Sequence, residues 1–146
     1  TEWKVSLPDA SDQLQGAMAL LAVSMKSDAI DPTRVYLTGM SMGGSGSLNW
    51  ASREPDRFAA IIAVCALSDV KRAPPLSKTP LWILHGALDD QVPIERSRVF
   101  VETLKKHEAP VKFTEYPDAG HGIAGNVMKE PGVLEWLFAQ KLAAAK

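Results

Sequence analysis

Ten consecutive apolar residues, Phe58 to Leu67, form the longest unbroken apolar stretch of this 146-residue chain. A membrane-spanning helix needs roughly 20, so the run is read as buried within protein. It shows little alternation, and a strand that is apolar on both sides of its pleat requires cover on both faces. That requirement points to a parallel sheet with helices above and below. Three further segments read as strands: Val35-Tyr36-Leu37-Thr38, Leu81-Trp82-Ile83-Leu84 and Val111-Lys112-Phe113-Thr114-Glu115-Tyr116. The last alternates and is expected nearer a sheet edge. Leu14, Ala17, Met18, Leu21 and Met25 recur at helical spacing behind a capping Ser11. A glycine-rich helix reaches about Arg53 and stops near Pro55. Ile94, Ser97, Val101 and Leu104 mark a helix opening at Pro93, and Val133, Leu134, Leu137, Phe138 and Leu142 mark a last one. Alternating strands and helices predict an α/β domain over 1–146, an open parallel sheet with flanking helices.

Charge and cysteine content narrow the function. Lys and Arg number 16 against 17 Asp and Glu, a net of -1, which argues against a nucleic-acid partner. The opening Thr1-Glu2-Trp3-Lys4 lacks the apolar stretch of a signal peptide, and no segment reads as a membrane span. The chain does not begin with Met, which leaves room for an upstream segment. A single cysteine, Cys65, excludes an internal disulfide and a thiolate cage, and its apolar surroundings read as core. No cofactor and no metal are expected. The set His85, Asp89 and His121 has metal-ligand chemistry, but it leaves Ser41 and its glycines unexplained.

Three polar points follow three of the strands. Gly39-Met40-Ser41-Met42-Gly43-Gly44 lies where a strand ends and a helix begins, the context required of a G-x-S-x-G nucleophile turn. Ser41 is the expected nucleophile, aided by the positive end of the helix dipole. A serine hydroxyl needs a base, and the base needs an acid that orients it. His121, in the turn Pro117-Asp118-Ala119-Gly120-His121-Gly122, is the expected base. His107, after Lys105-Lys106 at a helix end, has the blander role of complementing the dipole. The acid lies in His85-Gly86-Ala87-Leu88-Asp89-Asp90, where one of the two carboxylates can orient an imidazole. Asp90 has a structural alternative near the helix that follows, and His85 reads as structural. The chain order Ser, Asp, His is that of the α/β-hydrolase fold.

These motifs resemble bacterial carboxylesterases of the α/β-hydrolase superfamily. The nearest groups are the phospholipase/carboxylesterase, feruloyl-esterase and polyhydroxybutyrate-depolymerase-like esterases. The likeness rests on Ile30 to Gly44, Glu54-Pro55-Asp56-Arg57-Phe58, His85-Gly86-x-x-Asp89-x-x-Val92-Pro93 and Tyr116-Pro117-x-x-Gly120-His121, and it runs from about residue 11 to 140. It implies Asp89 as the acid and the Met42 backbone N–H as one oxyanion donor. It also implies eight strands where four are counted. The sequence therefore resembles the C-terminal half of such a fold, with the second oxyanion donor elsewhere.

The resemblance implies a serine carboxylesterase acting on a small-molecule ester through an acyl-enzyme. A thioesterase or oligopeptidase on the same triad is the alternative, as is a non-catalytic binding module. The expected partner at the open sheet edge is a second copy or the missing N-terminal half.

Overall fold

The computed structural model describes residues 12–26 and 29–143. Helix α1 (Asp12–Ser24) precedes strand β1 (Tyr36–Met40), helix α2 (Met42–Arg53) and strand β2 (Ala60–Val64). Two single turns of 3-10 helix, Val70–Arg72 and Pro74–Leu76, lead to strand β3 (Leu81–Gly86) and helix α3 (Ile94–Lys106). Strand β4 (Val111–Tyr116) and helices α4 (Ala124–Lys129) and α5 (Val133–Ala139) follow. The expected Ser11 cap lies outside the described residues.

The strands pair in chain order, β1-β2-β3-β4, and all three pairings are parallel. The side chains sort by the two-residue period of a strand. Ile61, Ala63, Leu81 and Ile83 face one core with Leu48, Phe100, Val101 and Leu104, and Leu14, Met18 and Leu21 of α1 pack against it. Ala60, Ile62, Val64, Trp82 and Leu84 face a second core with Ile123, Val133 and Leu137. Every residue of β2 and β3 is buried, as a strand covered on both sides must be. β4 has the mixed burial of an edge.

Two hydrophobic cores, one on each face, correct the expectation of a C-terminal half alone. This open sheet with its flanking helices forms an α/β-hydrolase core running over almost the entire described chain. Four contiguous strands suffice to bury both faces of the central pair. Smaller differences are local. β3 runs two residues past the expected Leu84 and so takes in His85. Helix α4 was not apparent in the pattern, and α5 ends at Ala139, short of the expected Leu142.

Candidate active site

The carboxyl ends of the four parallel strands lie along one rim, and each delivers a polar group there. At the end of β1 the chain turns sharply into α2 through Ser41, whose φ of 55° lies in the left-handed region. A non-glycine residue held there stores strain. A Cβ on Gly39 would overlap the Gly43 backbone, and one on Gly44 would lie 2.8 Å from Gly39 O. Gly39 and Gly44 thus make the turn possible, whereas a Cβ on Gly43 meets open space. The hydrogen bonds found at Ser41 run through its backbone: its N–H donates to Val64 O at 2.8 Å, and its carbonyl accepts from Ser45 N–H and Oγ–H.

Cys65 follows β2 directly, also at positive φ (44°) and fully buried. Burial pushes its thiol up to about 11, and a hydrogen bond to Asp89 and that residue's charge push the same way, against a Gly86 backbone hydrogen bond. A buried thiol of this kind has little thiolate character at neutral pH.

β3 ends with His85 and Gly86, and the loop beyond carries Asp89. Asp89 Oδ1 accepts N–H groups of Gln91 (2.9 Å) and Val92 (2.8 Å). Its Oδ2 lies 2.7 Å from His121 Nδ1 and 3.1 Å from His85 Nε2. Burial works to raise the Asp89 pKa, but the Val92 N–H, His121, the Gln91 N–H and the Cys65 thiol outweigh it and hold the carboxyl below its ordinary value.

The loop after β4 brings His121 over. Leu88 N–H donates to Ala119 O at 2.9 Å, so the acid and base loops are bonded together. A Cβ on Gly86 would overlap the carbonyl oxygens of Ala119 and Gly120. Gly86→Ala is therefore expected to force the two loops apart, with a loss of about 1–3 kcal/mol typical of overpacking. Urea unfolding checks this, and a midpoint equal to the parent's would refute it. At the far side of the loop, Tyr116 O–H donates to Glu130 Oε2 at 2.7 Å and ties the end of β4 to the end of α4.

The structure thus brings Asp89 and His121 together, and it adds Cys65 and His85, two groups whose sequence context reads as structural. Cys65, His85 and Asp89 place one ligand atom each within 4.8 Å of one another. Thiol, imidazole and carboxylate are donor types for a metal, yet both His85 nitrogens already bond protein groups, Ser97 Oγ and Val92 O. The cluster corrects the reading of a serine carboxylesterase, or serine esterase, built on a closed Ser-His-Asp triad. Its cause is the β2–β3 register, which pairs Val64 with Leu84 and so sets Cys65 beside His85. No local sequence signal marks this pairing, because it is the parallel register that carries the residue after β2 to the end of β3.

The profile of the Dienelactone hydrolase family matches residues 4–139. The chain belongs to that family. The match extends over almost the whole chain, which also corrects a likeness confined to half a fold. A thermostable esterase of known structure is 30% identical with a TM-score of 0.80, over 90% of this chain and 37% of that one. Acyl-protein thioesterase 1 of Gibberella zeae is 29% identical over 109 residues, 69% of this chain and 46% of that protein. The uncharacterized peptidase YuxL of Bacillus subtilis is 29% identical over 129 residues, 65% of this chain and 20% of that protein. The chain thus spans less than half the length of each of these three. Among the described residues, no helix is long and apolar enough to cross a membrane.

Proposed function

We propose that this chain carries the catalytic centre of a thioesterase-type acyl hydrolase acting on a small-molecule acyl substrate. The observation behind this reading is the 2.7 Å contact between His121 Nδ1 and Asp89 Oδ2. An ionised carboxylate can only accept, so Nδ1 holds the hydrogen and Nε2 keeps a lone pair for proton removal. Asp89 orients the ring, and His121 takes and returns the proton. The Met42 backbone N–H, in the first turn of α2, is the donor we assign to the developing oxyanion.

Two groups can attack the acyl carbon. Ser41, on the strained turn, is the first. The second is Cys65, which the Cys65–His85–Asp89 cluster favours. It needs to lose its proton and gain access, because its thiol is buried and pushed up to about 11. Either attack forms a tetrahedral adduct, expels the leaving thiolate with the proton from the base, and leaves an acyl-enzyme for water to cleave.

Two relatives named acyl-protein thioesterase 1, from Gibberella zeae and Neurospora crassa, support the thioester class. The test is a matched set of one acyl group as thioester, oxygen ester and peptide anilide. The thioester is expected to turn over fastest, and turnover of all three should collapse in His121→Ala. A preference for the anilide would overturn the assignment, and no turnover of any would favour a binding module. The described residues leave β1 at the sheet edge, and we propose that a second copy or further strands cover it. Light scattering on the isolated chain checks the first.

A further inference from the structure

We propose that His85 is a positioning residue for Asp89, acting through one N–H shared between the carboxylate and the far end of its loop. The inference rests on the reading of Asp89 and His121 as the acid–base pair. His85 is fully buried near the end of β3. Its Nε2 lies 2.9 Å from Val92 O and 3.1 Å from Asp89 Oδ2. A carbonyl and an ionised carboxylate both accept, so Nε2 carries a hydrogen directed at the two together. Nδ1 then accepts from Ser97 Oγ–H at 2.8 Å, on the buried face of α3.

The consequence is mechanical. The loop carrying Asp89 leaves the sheet at Gly86 and enters α3 after Pro93. The His85 ring bridges from its start to Val92 near its end, while Ser97 fixes the tilt of the ring. Within that frame Asp89 is held at both oxygens, Oδ1 by two backbone amides and Oδ2 by two imidazoles. Rotation of the carboxylate would break at least one bond on each side. The oxygen facing His121 is therefore held in place before substrate arrives, the supporting arrangement that a precise site needs. With its Nε2 hydrogen given and its Nδ1 lone pair taken, His85 has no free site with which to act as a base.

The test compares His85→Gln with His85→Leu in the full chain. A glutamine Nε2 stands the same number of bonds from Cα as the imidazole Nε2 and offers hydrogens to both Val92 O and Asp89. Leucine offers none. His85→Leu is expected to lower kcat roughly 10- to 100-fold, the factor a hydrogen bond to a charged group carries, with KM unchanged. It should also abolish the low-field proton resonance of the His121–Asp89 hydrogen bond, and His85→Gln should restore both. If the leucine variant does not fold, Ser97→Ala frees the ring tilt and is expected to weaken the same resonance. A folded His85→Leu protein with unchanged resonance and kcat would overturn the proposal. So would a glutamine variant as slow as the leucine one with its resonance intact, because His85 would then be a base acting on Cys65. The resonance needs no substrate, so a parent protein that turns over nothing would defeat the functional reading and leave this inference to be decided by the spectra.

Discussion

Asp89→Asn is expected to lower turnover by about 10⁴, the loss known when an amide replaces the acid of such a pair. The reason can be read from four of the groups around the carboxylate. Oδ1 accepts two backbone N–H groups, and Oδ2 faces His121 Nδ1 and His85 Nε2. An asparagine must turn its NH₂ toward one side or the other. Turned toward Gln91 and Val92, it sets donor against donor and breaks the loop. Turned toward His121, it favours the tautomer with the hydrogen on Nε2, which cannot take a proton from an attacking group. The same variant tests stability. The folded-state pKa of Asp89 is held below its ordinary value. Its contribution is therefore present above the ordinary carboxylate range and fades as pH falls through the depressed folded value. Parent and variant should differ in urea midpoint near pH 7, and the difference should shrink as pH falls through the depressed folded value. Turnover within tenfold of the parent would exclude Asp89 as the acid.

The parallel sheet, and the loops that bring Asp89 and His121 into contact, were legible because they are written in local patterns. Phe58 to Leu67 announces a strand buried on both faces, and β2 lies within it with every residue buried. Asp89 and His121 stand in loops next to recognisable strands. What the sequence hid depends on register. Cys65 sits in an apolar run, where nothing marks it as polar in role, and His85 looks like a strand-end residue. Only the pairing of Val64 with Leu84 sets them together beside Asp89. Helix α4 escaped because Gly125 and Asn126 weaken its propensity, and only Val127 packs against the second core as a partly buried residue. The close-packed glycines at the Ser41 turn are Gly39 and Gly44. The G-x-S-x-G spacing pairs Gly39 with Gly43, but the second close approach falls at Gly44, because it is a property of the helix path rather than of the interval from serine.

Ser41→Ala and Cys65→Ala, assayed on the same thioester, are expected to separate by orders of magnitude. Loss of the attacking group costs about 10⁶ in turnover when nucleophile and base act as a unit, and the other variant should stay within about tenfold of the parent. Both residues are held at positive φ, 55° and 44°, where a side chain is strained by about 1–3 kcal/mol. Strain alone therefore does not choose between them, and both alanine variants keep the Cβ that bears it. Access and charge state do differ. Ser41 is only partly buried, at the start of α2 where the helix dipole favours a developing anion. Cys65 has no exposed surface, and its thiol is pushed up to about 11. Attack by Cys65 thus requires the cluster to open, and an opening on the time scale of turnover would let iodoacetamide in. Collapse of Ser41→Ala, together with a folded protein whose Cys65 resists alkylation near pH 8, puts the attack on the turn. Collapse of Cys65→Ala with rapid alkylation puts it on the thiol cluster. Parental turnover in both variants would remove the acyl-enzyme altogether, and with it the reason for a strained serine at the start of α2.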